Sequence, residues 1–435
     1  MATLVERTLL TAFKWQARHA MRMGDETHVE LPSPPKRPAA LYAHVPFCEV
    51  LCPFCSFHRV QFRDQKARRY FSALRDELRL YHRAGYAFSS LYVGGGTPTC
   101  AADELVETIA LAKELFGVKE ISVETNPLDL QPRVIEQLSR VGVSRLSVGV
   151  QSFDDRLLKS MERYEKYGSA AQIIERLDAA APHFPTLNVD MMYDLPGQEP
   201  ASLEHDLDTI LGLKANQVSF YPLMTSKTSE WRVRLTMGEQ PQHRVREYYE
   251  RYLARLRPDF TPQSCWCFSR TRAAIDEYIV DAEDYVGVGS GAFSFIDGSL
   301  YATTFSLNTY VERISKGLCG MTGRRVLTSA ERMKNLFLSR LFGLELEKAW
   351  VRERYGDEFE AQVWYALEAM KRLDAVTEDA RAWRLTERGM YYWVLMMSEF
   401  FESVNRFRET MRGHIQAELD EPELRVDSTP ATSGA

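Results

Sequence analysis

Three cysteines in one short stretch are the residues whose types and spacing most directly suggest chemistry. Cys48, Cys52 and Cys55 follow one another with C-x3-C-x2-C spacing. A cubane iron–sulfur cluster normally takes four cysteine thiolates. Three thiolates leave one iron with an open coordination position, where a small molecule can bind and react. The spacing therefore predicts a [4Fe-4S] cluster that serves as a reaction centre.

A zinc site or a chance group of thiols is the alternative to this interpretation. Structural zinc sites usually pair one C-x2-C element with a second such element or with H-x3-H. Cys265 and Cys267 could supply a second half, but their C-x-C spacing is wrong and they lie far along the chain. Cys100 and Cys319 are most simply ordinary buried or half-buried thiols.

Further polar and glycine-rich motifs lie before the cysteines and at several positions after them. They are Tyr42-x-His-x-Pro-Phe before the first cysteine, Gly94-Gly-Gly-Thr97-Pro98, Val-Glu124-Thr-Asn, Arg145-x-Ser-x-Gly-x-Gln151-Ser-Phe, Asn188-x-Asp190 with a following Leu-Pro-Gly-Gln, and Gly287-x-Gly-Ser-Gly-Ala-Phe293-Ser. With the cysteines they resemble radical S-adenosylmethionine (SAM) enzymes, more narrowly the branch that contains oxygen-independent coproporphyrinogen oxidase. The resemblance covers residues 40–300.

The resemblance implies two cofactors, a [4Fe-4S] cluster and SAM. In that superfamily the open iron binds the amino and carboxylate groups of SAM, and an electron from the cluster breaks a C–S bond to release a 5′-deoxyadenosyl radical. Phe293 matches a position where the branch contacts a second SAM. The resemblance therefore permits two SAM molecules per chain.

Several residues around the cluster acquire roles from this resemblance. Tyr42 and Phe54 would lie beside the cluster and SAM, although Tyr42 could equally be a core aromatic residue. Gly95, Gly96 and Thr97 would hold the methionyl group, since exposed backbone N–H groups can bind a carboxylate. A tight turn is the simpler interpretation of a glycine run alone.

Four polar residues on or after the later predicted strands complete the expected SAM site. Glu124 would accept hydrogen bonds from ribose hydroxyls or an ammonium group, and Gln151 would contact SAM. Arg163 would pair with the SAM carboxylate, and Asp190 would contact a ligand, because a buried carboxylate needs a partner. The alternatives are a solvated acid for Glu124 and a surface arginine for Arg163.

The chain also departs from its relatives in ways that bear on the reaction. Glu162 and Tyr164 flank Arg163 where relatives carry Gly-Arg-x-His, and Asp194 replaces a usual glycine. Ser56 stands near where the oxidase has a further cysteine. The His-Asn-x-x-Tyr-Trp motif of the related heme chaperone is not found, and residues 265–270 instead read Cys-Trp-Cys-Phe-Ser-Arg.

These departures favour methyl or methylene transfer from a second SAM to a small organic substrate, such as a natural-product intermediate. Oxidative decarboxylation or another modification of a tetrapyrrole is the enzymatic alternative. A non-catalytic heme carrier is the third possibility, with heme ligands drawn from His44, His58, Cys265 and Cys267. Trp266, Phe268 and Arg270 are candidates for the substrate pocket. The resemblance implies a ferredoxin or flavodoxin as electron donor.

The elements needed to position these residues are six strands alternating with helices. Strands are expected at 41–45, 90–93, 121–124, 145–150, 187–192 and 218–221, with helices at 68–83, 104–115, 132–141, 170–181 and 202–213. This alternation predicts an α/β fold with a parallel sheet. The resemblance specifies a partial (β/α)6 TIM-like barrel, in which chemistry gathers at the C-terminal ends of the strands.

The remaining chain divides around this barrel. We expect an N-terminal helix and Pro-rich linker at 1–40, a core at 41–300, a small, mostly helical winged-helix-like domain at 301–420, and a disordered tail at 421–435. Leu385-Thr-x-x-Gly389 resembles the winged-helix domain of the relatives, and a helix capped at Thr328 or Ser329 is expected.

Composition bounds the class of protein. A chain of 435 residues with a formal charge of −6 and a pI near 6.0 does not favour general nucleic-acid or membrane-surface binding. We expect a cytoplasmic protein, because the seven cysteines do not form a disulfide framework and the N-terminus lacks the pattern of a signal peptide.

Overall fold

A computed structural model describes residues 23–25, 29–239, 244–271 and 282–419. Its main feature is a twisted 13-stranded sheet whose centre consists of six parallel strands. In chain order the strands of this sheet are β1 Gly24–Asp25, β2 Ala39–Val45, β5 Phe88–Gly95, β6 Glu120–Thr125, β7 Arg145–Gln151, β8 Thr186–Tyr193, β9 Gln217–Pro222, β10 Thr261–Pro262, β11 Cys267–Ser269, β12 Tyr285–Val288, β13 Phe293–Ile296, β14 Ser299–Thr303 and β15 Met321–Val326. A two-stranded pair, β3 Phe47–Cys48 and β4 Val60–Gln61, frames the cysteine loop.

The six expected strands correspond to β2 and β5 to β9, which pair in parallel in this order. Strand β12 adds in parallel to the other side of β2, and antiparallel strands extend both edges. In the described part of the chain the edge strands β1 and β10 do not pair, so the barrel is open, as the partial barrel predicted.

Helices cover the outer face of the central strands and close the connections. They are α1 Asp64–Arg83, α2 Ala102–Phe116, α3 Pro132–Val141, α4 Asp155–Ser160, α5 Tyr164–Tyr167, α6 Ala170–Ala180, α7 Pro200–Gly212, α8 Lys227–Thr236, α9 Val245–Leu256 and α10 Leu307–Ser315. Helix α1 illustrates the packing, since Ala67, Tyr70, Phe71, Leu74 and Leu78 recur at helical spacing and are buried.

Within the described residues, the C-terminal region consists of five helices and a small antiparallel sheet. The elements are α11 Ser329–Phe342, β16 Glu345–Glu347, α12 Lys348–Tyr355, α13 Glu358–Arg372, β17 Val376–Glu378, β18 Ala382–Leu385 and the long α14 Glu387–His414, followed by the short α15 Gln416–Leu419. Thr328 caps α11 through a reciprocal box with Glu331, which confirms the expected cap. Trp383 and Trp393 are fully buried and anchor this region.

Two sequence-based expectations lie outside the described residues. These are the helix at the extreme N-terminus and the disordered tail from 421. Within the described ranges, we find no helix with both the length and the apolarity needed to cross a bilayer.

Candidate active site

A single cavity of about 330 Å³ collects every residue expected at the cluster and SAM site. It opens at the C-terminal ends of the central strands, where the chemistry of a parallel barrel usually gathers. The thirteen expected residues that line it are Tyr42, Cys48, Cys52, Phe54, Cys55, Gly95, Gly96, Thr97, Glu124, Gln151, Arg163, Asp190 and Phe293. A cavity of this size is typical of a small-molecule site.

The three cysteines line this cavity and differ in their exposure to solvent. Cys48 and Cys52 are buried and Cys55 is half-buried. Burial, and next the proximity of Cys55, raise the pKa of the Cys48 thiol to about 12. Thiols held close together in this way ionise readily only beside a cationic centre, so the donor set fits an iron–sulfur cluster.

The zinc alternative finds no support in this geometry. Cys265 and Cys267 are fully buried and do not line the cavity. The Sγ of Cys265 lies 3.4 Å from the carbonyl oxygen of Phe342.

The glycine loop after β5 is joined to the cysteine loop by backbone hydrogen bonds. The N–H groups of Gly96 and Thr97 donate to the carbonyl oxygens of Val45 and Phe47, at 2.8 and 2.7 Å. The N–H of Gly95 donates to Glu124 Oε2 at 2.9 Å. All three amides are therefore bonded within the protein, and the expected contact of Gly95, Gly96 and Thr97 with the methionyl group of SAM stays a prediction.

Close packing explains why glycine occupies this loop. Gly95 has φ +112°, and a Cβ there would lie 2.4 Å from the His44 ring. A Cβ on Gly94 would lie 2.6 Å from the Glu124 carboxylate. The loop therefore places the backbone against both side chains, which no larger residue would allow.

Glu124 and Tyr42 are each fixed by a neighbouring side chain. Tyr92 donates its hydroxyl to Glu124 Oε1 at 2.9 Å. The Tyr42 hydroxyl lies 2.9 Å from His44 Nδ1, and His44 Nε2 lies 2.9 Å from the carbonyl oxygen of His58. Burial lowers the pKa of His44 to about 4, so the ring is neutral. Nε2 must then carry the proton, and Nδ1 accepts from Tyr42.

Gln151 stands on a strained turn that a buried acid holds in place. Its φ of 81° lies in the left-handed region, which few side chains tolerate without compensation. Asp206, on α7, accepts hydrogen bonds from the Phe153 N–H at 2.5 Å and from the Ser152 hydroxyl at 3.1 Å. These bonds anchor the residues immediately after Gln151.

Arg163 is buried beside the cysteines, so the surface-arginine interpretation is wrong. It is 5% exposed, and its Nη1 lies 3.4 Å from Cys52 Sγ. Its Nη2 donates to the Gly149 carbonyl, and its Nε has no hydrogen-bond partner among the described residues. A buried guanidinium with an unused donor fits an anionic ligand.

The two positions at which this chain replaces a glycine of its relatives both have a left-handed backbone. Glu162, which precedes Arg163, has φ 58°, and Asp194 has φ 60°. Both backbones adopt the left-handed conformation that glycine would take at no cost. Asp194 Oδ1 also accepts from the Arg244 N–H at 2.9 Å, which helps to offset the strain.

Asp190 belongs to a polar network inside the barrel. Its Oδ2 accepts from the Ser147 hydroxyl at 2.8 Å, and its Oδ1 accepts from Asn188 Nδ2 at 2.7 Å. Asn188 Oδ1 accepts in turn from the Ser219 hydroxyl. The partners expected for this carboxylate are thus supplied by the protein, and they hold it in place beside the cavity.

Sequence reasoning missed several cationic and polar residues at the site. Arg59 is 4% exposed and donates from Nη2 to the carbonyl oxygens of Cys52 and Cys55, at 2.5 and 2.7 Å. Arg412 donates to the Arg59 carbonyl oxygen at 2.6 Å. Asn405 and Arg408 also line the cavity, from helix α14. The position of Arg59, four residues after the last cysteine, was the only available signal.

Most residues considered for heme or substrate binding lie elsewhere. His44 and His58 are fully buried and stack against each other at 5.8 Å. Phe268 packs in the core against Tyr252. Arg270 donates to carbonyl oxygens at the end of α7, including that of Leu211 at 2.7 Å. Trp266, by contrast, lines the cavity.

Comparison with known proteins is consistent with this geometry. Residues 42–210 match the Radical SAM superfamily. The heme chaperone HemW of Bacillus subtilis (strain 168) is 27% identical over 80% of this chain and 95% of its own length. The oxygen-independent coproporphyrinogen III oxidase of Escherichia coli (strain K12) is 33% identical over 43% of this chain and 42% of its own length.

A solved structure supports the fold as a whole. The coproporphyrinogen III oxidase HemN from Escherichia coli superposes with a TM-score of 0.69 at 22% identity, covering 89% of this chain and 93% of that one. The radical SAM family uses a [4Fe-4S] cluster and SAM, and the cavity described above holds the matching cysteines. The chain therefore carries a radical SAM domain at residues 42–210 and is similar in sequence to heme chaperones and oxygen-independent coproporphyrinogen oxidases.

Proposed function

We propose that this chain is an enzyme that cleaves SAM reductively and acts on a tetrapyrrole. The observation that carries the first part is the convergence of three cysteines and ten further expected residues on one cavity. When bound, the cluster and SAM supply one-electron cleavage of a sulfonium C–S bond, which yields a 5′-deoxyadenosyl radical.

The residues of the chain bind and orient SAM in this proposal. Arg163 pairs with the SAM carboxylate, because its Nε is buried and unused. Glu124, held by Tyr92 and Gly95, accepts from the ribose hydroxyls or the ammonium group. Phe54 shields the reactive centre from water.

Gln151, Asp190 and Phe293 line the remaining walls. Gln151 and Asp190 would offer polar contacts at the ends of β7 and β8. Phe293 packs against Phe305 and Phe407 and would contact either a second SAM or the substrate.

The relatives and a second cavity support a tetrapyrrole as the substrate. The printed names of the relatives concern heme and coproporphyrinogen. A larger cavity of about 1620 Å³ adjoins the site and shares Tyr92, Phe293, Phe401 and Arg408 with it. Its other walls carry both signs of charge, since Arg354 pairs with Glu283 at 3.0 Å, so it is the size of this cavity that suits a large molecule.

Methyl or methylene transfer, the first expectation from the sequence, receives no support from the heme-related relatives. A heme carrier remains the second candidate, because the Bacillus subtilis heme chaperone aligns over 95% of its length. The four heme ligands considered from the sequence do not favour it, since none of them lines the site cavity.

An anaerobic assay distinguishes these functions. Reconstituted protein with dithionite and SAM should release 5′-deoxyadenosine, and release should rise when coproporphyrinogen or another tetrapyrrole is added. Carbon dioxide would indicate decarboxylation, and S-adenosylhomocysteine would indicate methyl transfer. No 5′-deoxyadenosine, together with stable heme uptake, would overturn the proposal in favour of the carrier.

A further inference from the structure

Arg59 is a buried cation that lies against the cysteine loop. It follows Cys55 by four positions and is 4% exposed. Its Nη2 donates to the carbonyl oxygens of Cys52 and Cys55, at 2.5 and 2.7 Å. Its Nη1 is buried and has no hydrogen-bond partner within the ranges that the structure describes. The guanidinium therefore contacts the backbone of two of the three cysteines and lines the same cavity as they do.

In the described part of the chain, no carboxylate pairs with Arg59. Glu49, the acid of the cysteine loop itself, pairs instead with Lys166 at 2.8 Å. The nearest charged neighbour on helix α14 is another cation, since Arg412 donates to the Arg59 carbonyl oxygen at 2.6 Å. Burial, and next the charge of Arg59, lower the pKa of Arg412 to about 10. Because a buried ion without a counter-charge is costly, these cations favour an anionic group in the cavity.

An iron–sulfur cluster held by three thiolates would supply that negative charge, and the amount of charge would depend on its redox state. Reduction adds one electron, and therefore one further negative charge. A neighbouring cation stabilises the reduced form more than the oxidised form, so it raises the reduction potential. The effect of Arg59 should be large, because its guanidinium stays charged in proteins and its burial limits screening by water.

The hydrogen bonds of Arg59 fix the position of this charge. Its Nη2 is bonded to the carbonyl oxygens of two cysteines, so the guanidinium cannot turn away from the cavity wall without breaking both charge-assisted bonds. Arg163, which also lies beside the cysteines, would be neutralised by the SAM carboxylate that it is proposed to bind. The charge of Arg59 would then remain available to act on the cluster.

We propose that Arg59 sets the reduction potential of the cluster at Cys48, Cys52 and Cys55, because its buried charge stabilises the reduced form. The inference rests on the proposed function, since only a chain that holds a redox cluster has such a potential. One electron passes from a one-electron reductant such as dithionite to the oxidised cluster. No proton or atom is transferred, and no bond to Arg59 forms or breaks.

A redox titration of the reconstituted full chain, without SAM, tests this proposal. The readout is the electron paramagnetic resonance signal of the reduced cluster as a function of the applied potential. Arg59→Met removes the charge at similar side-chain length, and Arg59→Lys keeps the charge. We expect reduction to become roughly tenfold less favourable in Arg59→Met, which is a midpoint about 59 mV more negative. Arg59→Lys should restore most of this difference.

Arg270→Met is the matched control. Arg270 also donates to backbone carbonyl oxygens, including that of Leu211 at 2.7 Å, but it lines neither of the two cavities described above. Its replacement should leave the midpoint potential unchanged. A wild-type midpoint in Arg59→Met would overturn the proposal. Equal shifts in Arg59→Met and Arg59→Lys would do so too, because Arg59 would then act through its hydrogen bonds to the loop and not through its charge.

A second neutral variant guards against a collapsed loop. If Arg59→Met binds no cluster, Arg59→Gln is titrated in its place, because its amide keeps N–H donors. Loss of the cluster from both neutral variants would overturn the proposal, since Arg59 would then be needed to assemble the loop. A wild type without a reducible cluster would overturn the proposed function as well. A wild-type cluster whose midpoint does not respond to Arg59 would overturn this inference alone.

Discussion

At the scale of single residues, function depends on which atoms the buried charged side chains contact. The guanidinium of Arg163 reaches Cys52 from a helix start more than a hundred positions along the chain, and Arg59 spans the carbonyl oxygens of the cysteine loop. Both place positive charge beside thiolates, which favours an anionic cluster and an anionic ligand. The sequence motif predicted Arg163 but offered only proximity as a signal for Arg59.

Replacing Arg163 by Ala should weaken SAM binding. A charge-assisted hydrogen bond to a carboxylate contributes about 1.5–3 kcal/mol, so the dissociation constant should rise by roughly tenfold to a hundredfold. Calorimetry on reconstituted protein measures it. Arg140→Ala removes an exposed arginine paired with Glu136 and should have no effect. Unchanged SAM affinity in Arg163→Ala would refute the assigned contact.

Replacing Cys52 by Ala should abolish SAM cleavage. The loss of one of three thiolates leaves the cluster without its minimum set of protein ligands. The yield of 5′-deoxyadenosine with dithionite is the readout. Cys319→Ala, outside the cavity, should retain it, although some stability would be lost from a buried position. Retained turnover in Cys52→Ala would contradict the cluster assignment.

At the scale of elements, turns after parallel strands position the site. The strand and helix bounds were largely predictable, because alternation between buried strands and amphipathic helices is a local pattern; helix 132–141 agrees at both ends. The hydrogen bonds of the Gly96 and Thr97 amides could not be predicted, because their acceptors, the carbonyl oxygens of Val45 and Phe47, belong to another strand and loop. The left-handed backbone at Glu162 and Asp194 was also not predicted, although both residues replace a glycine of the relatives, and glycine adopts this conformation at no cost.

Gly95→Ala should separate steric clash from backbone strain. Its Cβ would meet the His44 ring at 2.4 Å, and its φ is +112°. Gly117→Ala is the matched control, because it has φ +67° but nothing within 4 Å of the new Cβ. The free energy of unfolding of the control should fall by about 1 kcal/mol from backbone strain alone. Chemical denaturation should show a clearly larger fall for Gly95→Ala. Equal losses of unfolding free energy in the two variants would show that the loop shifts to accommodate the new Cβ at no further cost.

The Asp206 anchor predicts a pH-dependent stability. Burial raises the pKa of this carboxyl from 3.8 to about 8 in the folded chain. The folded state therefore holds a proton that the unfolded state loses near pH 4. The protonated Asp206 carboxyl therefore contributes its full stability below pH 4, and this contribution is lost as the pH rises to about 8. The free energy of unfolding falls over this range by no more than about 1.4 kcal/mol per pH unit.

Asp206→Asn isolates this contribution, since the amide cannot titrate. The wild type should lose thermal stability relative to the variant as the pH rises from 5 to 8. Parallel pH profiles for the two proteins would show that Asp206 titrates normally. Because only the difference in stability between the two proteins is interpreted, the contributions of the other titrating groups cancel.

At the scale of the whole molecule, the C-terminal region completes a site that the barrel leaves open. Helix α14 brings Phe401, Asn405 and Arg408 to the cavity, and Arg412 to the cysteine loop. No single-chain motif links a helix near residue 400 to cysteines near residue 50. The contribution of α14 could therefore be seen only in the folded structure.

Arg408→Ala should separate substrate binding from SAM binding. The Arg408 guanidinium lies over the rings of Phe57 and Phe293, at 4.8 and 5.9 Å, where the two cavities meet. We expect the KM for a tetrapyrrole substrate to rise several-fold, while SAM affinity stays within about twofold of the wild type. Arg388→Ala, on the same helix but away from both cavities, is the control. Equal losses of SAM and substrate affinity would contradict this division.

The central claim is that three cysteines hold an iron–sulfur cluster with an open position. Metal and acid-labile sulfide analysis of anaerobically reconstituted protein tests it most directly. The account predicts about four iron and four sulfide per chain, and a marked loss of both in Cys52→Ala. Protein that instead retains zinc, or contains no sulfide after reconstitution, would contradict it.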